Sequence, residues 1–235
     1  MTKGRIQSIQ SFSTVDGPGT RCVTFLQGCP AGCIFCHNPD AWDFASGKET
    51  GVEELLRRLE RFRPFLRSPG LTVSGGEPLV QPEFTFNLLI SARKKGWHTA
   101  LDSSGWGPGE VFAKIAGIAD LVMLSIKHPL DPGKLSRFKP EQLKEILGQL
   151  KRLPVPLWLR YVLIPGWSDE PEALRALGKI AAGLPRLEKI EILPYHSLAR
   201  CKWQKLGWDS PLFYEKNLTA TEEEIRRAEE MAGVK

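Results

Sequence analysis

Short apolar runs alternate with longer amphipathic segments along the chain. The runs Cys22–Gln27, Leu71–Ser74, His98–Asp102, Leu121–Ile126, Leu157–Leu163 and Lys189–Leu193 predict six strands. Between the first two, Val52, Leu55, Leu56, Leu59 and Phe62 recur at helical spacing, with Thr50 and Glu53 suited to a capping box and Pro64 near the stop. Leu143, Ile146, Leu147 and Leu150 after Pro140 predict another helix, as do Leu174, Leu177 and Ile180 after Asp169. A terminal helix is expected to start near Thr221, with Glu224 as its capping partner. Strands separated by helices imply βα units and a parallel sheet. Six units fall short of the eight in a closed (β/α)8 barrel of about 250 residues. The expected fold is therefore α/β, a partial (β/α)6 TIM-like barrel with an open side. Gly17–Gly19, Gly105–Gly109 and Pro129–Gly133 read as loops. No repeat, low-complexity tract or long linker divides residues 1–235, so one domain is expected, its C-terminal helix packed on or near the barrel.

Composition narrows the classes. A chain of 235 residues, 42% hydrophobic and 25% charged, can bury a sizeable core and is too apolar for disorder. Met1 to Phe12 contains no apolar signal-peptide region, and the most apolar stretch, Ile118–Ile126, is too short for a membrane span and contains Asp120. Five cysteines, three of them clustered, make no disulfide framework and suit a reducing, cytoplasmic compartment. The formal charge of +5 is dispersed. Arg57, Arg58, Arg61 and Arg63 interleave with Glu53, Glu54 and Glu60 as on a solvated helix face, which makes a nucleic-acid groove the minor reading; with no apolar span, no membrane partner is expected.

The sharpest chemical signal is Cys29-Pro-Ala-Gly-Cys33-Ile-Phe-Cys36, directly after the first expected strand and with no fourth cysteine near in sequence. Three thiolates can hold three irons of a [4Fe–4S] cube and leave the fourth iron open to an exogenous ligand. A zinc site completed by His37 is the competing reading. Cys36 and His37 are adjacent, which makes it awkward for both to reach one tetrahedral ion. The cysteine pattern, with Phe35 before its last member, resembles the cluster motif of the radical S-adenosylmethionine (SAM) superfamily. That resemblance implies a radical SAM core in which the amino and carboxylate groups of SAM chelate the open iron, and reductive cleavage gives a 5′-deoxyadenosyl radical.

Parallel barrels carry their chemistry in the loops after the C-terminal ends of strands. Ser74-Gly75-Gly76-Glu77 follows the second expected strand, Asp102-Ser103-Ser104-Gly105 the third and Ser125-Ile126-Lys127-His128 the fourth. Arg160 and Val162 lie on the fifth, and Leu193-Pro194-Tyr195-His196 ends the sixth. Each suits a part of SAM. Gly75 and Gly76 would let backbone carbonyls approach an ammonium, while Glu77 would answer its charge or a nearby arginine. Asp102 suits ribose hydroxyls or a cation, Lys127 or Arg160 the carboxylate, His196 the ribose or adenine, and Phe35 the side of the adenine.

A closer resemblance spans nearly the whole chain. Gly4-Arg5-Ile6, Thr14-Val15-Asp16-Gly17-Pro18-Gly19, Gln27-Gly28-Cys29, Cys36-His37-Asn38, Ser74-Gly75-Gly76-Glu77, Asp120-Leu121-Val122-Met123-Leu124, Arg160-Tyr161-Val162, Pro165-Gly166-Trp167-Ser168-Asp169 and Leu193-Pro194-Tyr195-His196 together resemble the pyruvate formate-lyase activating enzyme family. The resemblance implies hydrogen abstraction from a backbone glycine of a glycyl radical enzyme, most specifically pyruvate formate-lyase, with a flavodoxin or ferredoxin-type electron donor. It assigns the cluster to Cys29, Cys33 and Cys36, and SAM contacts to Phe35, Cys36, His37, Gly76, the segment Ser125–Lys127 and His196. Ser74, Gly75, Glu77, Asp102, Ser103, Arg160 and Val162 are expected close by. Asp16 matches the residue near the incoming glycine, against the alternative of an ordinary turn aspartate. Cys22 and Cys201, the remaining cysteines, give no second cluster, so the inserted ferredoxin-like domain of many such activators is missing and the short form is implied. One departure stands out. The family pattern Asp-Leu-Lys here reads Ser125-Ile126-Lys127, and loss of that carboxylate argues against dependence on a monovalent cation held beside Asp102, Ser103 and Met123. A small-molecule radical SAM enzyme resembling carboxy-deazaguanine synthase is the second enzyme reading; a zinc-stabilised RNA-binding module is the non-enzymatic one.

Overall fold

The computed structural model describes residues 2–234; Met1, part of the stretch read above for a leader, and Lys235 lie outside the described residues. Its strands are β1 (Lys3–Ser13), β2 (Arg21–Leu26), β3 (Lys48–Gly51), β4 (Gly70–Gly75), β5 (His98–Ser103), β6 (Leu121–Ile126), β7 (Leu157–Leu163) and β8 (Leu187–Pro194). They form one sheet in the order β3-β1-β2-β4-β5-β6-β7-β8. From β2 to β8 every neighbouring pair is parallel, which gives the six-stranded partial barrel expected from the apolar runs. β1 and β3 extend it on one edge as antiparallel strands that the sequence pattern did not predict.

The reason lies in their spacing. Ile6, Ile9 and Phe12 fall three apart, which does not match the two-residue period of a strand. Register shifts against β2 between Ile6 and Ser8 and between Gln10 and Ser13 turn the chain so that this spacing is accommodated. β3 reads Lys-Glu-Thr-Gly and has no apolar residue to announce it. Its presence overturns the capping box expected at Thr50. That residue is in the strand, its hydroxyl donates to the Lys48 carbonyl at 3.3 Å, and the following helix starts from Gly51 without a side-chain cap.

The helices are α1 (Val52–Glu60), α2 (Pro82–Lys94), α3 (Gly109–Ala116), α4 (Pro140–Leu150), α5 (Pro171–Ala182), α6 (Arg200–Lys205) and α7 (Glu222–Ala232). The capping box of α7 forms as expected: Thr221 Oγ1 accepts from the Glu224 N–H at 3.2 Å, and Glu224 Oε2 accepts from the Thr221 N–H at 2.7 Å. Outward-facing strand residues such as Leu71, Val73, Leu101, Leu124 and Leu159 join the helices in one large apolar core. Each fully buried Leu or Phe there contributes about 1.5–3 kcal/mol. Ala228 and Ala232 of α7 are buried in that same core.

Inward-facing positions differ. Ala100, Leu121, Met123 and Trp158 make a small apolar plug inside the barrel. Towards the C-terminal ends of the strands the inner face turns polar, with Ser74, Asp102, Ser125 and Arg160. Alternation along each strand thus separates the folding core from the chemistry. Among the described residues, no helix is long and apolar enough to cross a membrane.

Candidate active site

The three clustered cysteines sit on the loop that leaves β2. Cys29, Cys33 and Cys36 are free and line one cavity at the C-terminal rim, together with Ser74, Gly75, Gly76, Glu77, Asp102, Ser103, Ser125 and Lys127. The loop carries no regular structure beyond a turn, so its shape comes from outside contacts. Arg137 N–H donates to the Ala31 carbonyl at 2.8 Å and Ile34 N–H to the Leu135 carbonyl at 3.0 Å. Ser210 Oγ donates to the Ile34 carbonyl at 2.6 Å, and Trp203 Nε1 to the Cys36 carbonyl at 2.9 Å. Ala31, Cys33 and Phe35 then pack with Leu135, Ile164 and Tyr195 in an apolar cluster above the barrel.

Gly75 and Gly76 serve a packing purpose beyond the carbonyl access expected of them. Gly75 has φ +113°, and a Cβ there would lie 2.1 Å from the Leu26 nitrogen. A Cβ on Gly76 would lie 2.2 Å from the Gly28 carbonyl oxygen. The two glycines let the loop after β4 press against the start of the cysteine loop, where Gly76 N–H donates to the Leu26 carbonyl at 2.7 Å and Glu77 N–H to the Gly28 carbonyl at 2.8 Å.

Glu77 is 1% exposed and meets no arginine. Oε1 accepts from Ser103 Oγ at 2.6 Å and from Leu79 N–H at 3.1 Å; Oε2 accepts from Ser104 N–H at 2.9 Å and Ser104 Oγ at 2.6 Å. Burial raises its pKa against the pull of these donors. The side chain therefore ties the loops after β4 and β5 together, and its oxygens are already engaged.

Burial dominates the thiols. It pushes Cys29 up to about 12, with the nearby Glu77 charge adding to the rise, and Cys36 up to about 11, with Cys33 adding to it. Cys33 is raised by burial too. Such thiols stay protonated unless a cationic metal displaces the proton. Lys127 shares the cavity: burial lowers its pKa, but the charges that Cys33, Cys29 and Asp102 carry when ionised outweigh that and leave it raised. Its Nζ stands 5.7 Å from the centre of the Phe35 ring. Among the described residues, no three His, Cys, Asp or Glu side chains converge as ligands of a single ion. Ligands of a cube are spread over different irons, so three separate thiols around a shared cavity fit a cluster better than a zinc ion.

Asp102 accepts from Ser74 Oγ at 2.7 Å and lies 3.5 Å from Arg160 Nη1. Arg160 also pairs with Glu191 at 3.0 Å and donates to the Val15 carbonyl at 3.2 Å. In the register of β6 and β7, Ser125 stands opposite Arg160. The His37 and His196 rings lie with centres 4.1 Å apart and planes tilted by 32°, and His37 Nε2 lies 3.2 Å from the His196 carbonyl oxygen. Val162 packs against the apolar cluster that holds the cysteine loop. Two expected residues stand elsewhere. The Ile126 side chain is buried in the core under the helices, not in the cavity, because alternation turns it away from Ser125. Asp16 is on the hairpin between β1 and β2, at the N-terminal ends of the parallel strands, opposite the cysteine loop. There its carboxylate accepts from Ser13 Oγ and its carbonyl from Thr72 Oγ1 at 2.6 Å.

Sequence reasoning quoted Asn38 and Ser104 within motifs but gave them no role, and it missed Trp42 as a cavity residue and Arg137, Trp203 and Ser210 as supports of the loop. Trp42 and Asn38 stand close behind Cys36 in sequence, a local signal that was available. The supports come from remote segments and carried none.

Comparison with known proteins agrees with this geometry. The Radical SAM superfamily profile matches residues 23–177. The chain is 42% identical over 231 residues to the pyruvate formate-lyase-activating enzyme of Clostridium pasteurianum, covering 97% of this chain and 95% of that protein. It is 40% identical over 210 residues to the pyruvate formate-lyase 1-activating enzyme of Escherichia coli strain K12, covering 87% and 85%. Among solved structures, Streptococcus suis SuiB bound to precursor peptide SuiA superposes with a TM-score of 0.66 at 14% identity, covering 88% of this chain and 43% of that one, a likeness of fold alone.

Proposed function

The chain belongs to the radical SAM superfamily and, within it, to the pyruvate formate-lyase-activating enzymes, and from that premise we propose that it installs a glycyl radical in pyruvate formate-lyase. It is a radical SAM activase of a glycyl radical enzyme. The observation that carries the reading is the set of three free thiols around one cavity, shared with the glycine pair, Asp102, Ser125 and Lys127.

Cys29, Cys33 and Cys36 would hold the [4Fe–4S] cluster. When bound, that group would supply the one electron that splits SAM into methionine and a 5′-deoxyadenosyl radical, the species that would take one hydrogen from a glycine Cα to leave 5′-deoxyadenosine and the glycyl radical. The protein's own part is orientation, charge and exclusion of water. Lys127, cationic and held over Phe35, suits the SAM carboxylate. The backbone of the Gly75–Gly76 turn suits the ammonium. Asp102, steadied by Ser74 and Arg160, suits ribose hydroxyls, and the adjacent His37 and His196 suit the adenosyl side. Glu77 acts on SAM indirectly, by fixing the two loops that would touch it. Asp102 already has a guanidinium partner and position 125 has no carboxylate, which supports operation without a bound monovalent cation. The electron donor we favour is an acidic one-electron carrier of flavodoxin or ferredoxin type. Arg200, Lys202 and Lys205 on α6 stand beside the segment that grips Cys36 and offer it complementary charge. An oxygen-sensitive cluster and free thiols support a cytoplasmic setting.

Anaerobic incubation with pyruvate formate-lyase, SAM and reduced flavodoxin, read by electron paramagnetic resonance (EPR), should give a glycyl radical. Cys29→Ala, Cys33→Ala and Cys36→Ala should each abolish it together with reductive SAM cleavage, while Cys201→Ala, at an exposed position, should retain both. Robust SAM cleavage without a radical on any glycyl radical enzyme would move the reading to a small-molecule substrate.

A further inference from the structure

Trp42 holds a buried donor in an unusual position. Its indole Nε1 is shielded from solvent and has no hydrogen-bond partner of ordinary geometry. An orphan N–H is costly to bury, so its location calls for a reason. The residue lines the cysteine cavity next to Cys29 and Cys36. Its ring is fixed from behind: Trp203 meets it edge-on at 5.0 Å and Trp208 stacks on it at 5.3 Å. Trp203 in turn donates its own indole N–H to the Cys36 carbonyl at 2.9 Å, so the orienting ring and the third cysteine are tied to one another.

Cys36 lines the same cavity as Trp42, and its carbonyl is held by Trp203. Asn38 N–H points at Sγ from 3.4 Å.

We propose that Trp42 donates an N–H···S hydrogen bond to Cys36 as a cluster ligand and thereby raises the reduction potential of the cluster. The inference rests on the cluster reading given above. A donor aimed at a ligand sulfur stabilises the extra negative charge that reduction brings, and hydrogen bonds to the sulfurs are one of the terms that set such potentials. The cluster of an enzyme that must be reduced by a protein donor gains from that shift.

Trp42→Phe keeps an aromatic ring between Trp203 and Trp208 and removes the N–H. In a potentiometric titration followed by the EPR signal of the reduced cluster, the variant should hold about tenfold less reduced cluster at a fixed potential, or about 59 mV for one electron. Wild-type protein labelled with 15N at the tryptophan indole should show, by pulsed EPR, a coupling to one indole nitrogen and one exchangeable proton, both lost in Trp42→Phe. A potential equal to wild type with full iron and sulfide would overturn the proposal, as would absence of the coupling in labelled wild type. Should Trp42→Phe fail to take up iron, the labelled wild type decides alone. Wild-type protein that binds no iron and sulfide would instead strike at the cluster reading itself.

Discussion

At residue 76 the neighbours dictate the amino acid. The Gly28 carbonyl oxygen occupies the place of a Cβ, at 2.2 Å, and it is backbone that cannot swing aside. Gly76→Ala should therefore move the start of the cysteine loop or lose about 1–3 kcal/mol, with more possible because the clash is with main chain. A denaturant midpoint measured alongside iron content checks this; an unchanged midpoint with full iron would show that the loops can part freely. The same position marks how much of the site was legible in the sequence. The cysteines were readable because their spacing is local, and the glycine pair was noticed, but as carbonyl access to a ligand. The close approach of β4 to β2 exists only once the strands are neighbours, so its demand for glycine was invisible. Glu77 was read as a charge waiting for a partner, whereas four donors from Leu79, Ser103 and Ser104 already occupy it. Trp42, a short step beyond Cys36, carried no chemistry of its own until the fold buried its unpartnered N–H beside the cysteine cavity and packed its ring on Trp203 and Trp208.

At the scale of elements, the six parallel strands were legible because their outward residues, with the inner plug, leave short apolar runs in the sequence. β1 was not, since bulges let a three-residue spacing pass as a strand, and β3 has no apolar residue at all. The loop after β6 carries a pH response. His128 is 4% exposed; its Nδ1 accepts N–H bonds from Leu130 at 3.3 Å and Asp131 at 3.0 Å, which requires that nitrogen to be unprotonated. Nε2 lies 3.6 Å from Glu170, whose charge favours the cation, and Lys134, paired with the same Glu170, opposes it. Burial outweighs these and lowers the His128 pKa. The unfolded chain, at about 6.5, thus takes up a proton before the folded one. Stability from this group is present above that value and lost as pH falls through it toward the folded pKa. Denaturant midpoints across about pH 5 to 8 should decline on the acid side, and His128→Asn, whose side-chain oxygen can still accept from the loop, should flatten that decline. An identical slope in the variant would assign the loss to other groups.

Across the whole molecule, two ends of the barrel are joined through one side chain. The cysteine loop leaves the C-terminal ends of the strands, and the hairpin with Asp16 closes the N-terminal ends. Arg160, mostly buried between them, pairs with Asp102 at the cavity, with Glu191 on β8 and with the Val15 carbonyl on the hairpin. Asp16 adds its negative charge to those of Asp102 and Glu191 and helps raise the Arg160 pKa. A glycine segment threading the barrel from the hairpin side would meet Asp16 first and be aligned against a cavity whose geometry shares the same guanidinium. If Asp16 receives that segment, removing its carboxylate takes away an interaction made with the protein substrate but not with SAM. Asp16→Ala should lower glycyl radical formation about tenfold while unproductive SAM cleavage changes by less than about twofold, the pattern of lost substrate positioning. A short peptide spanning the partner's glycine should be a poor substrate of the wild type and show a smaller loss in the variant, since it keeps the reacting hydrogen but gives up remote contacts. Parallel decline of both reactions would instead make Asp16 a brace of the barrel, acting through Arg160 on Asp102.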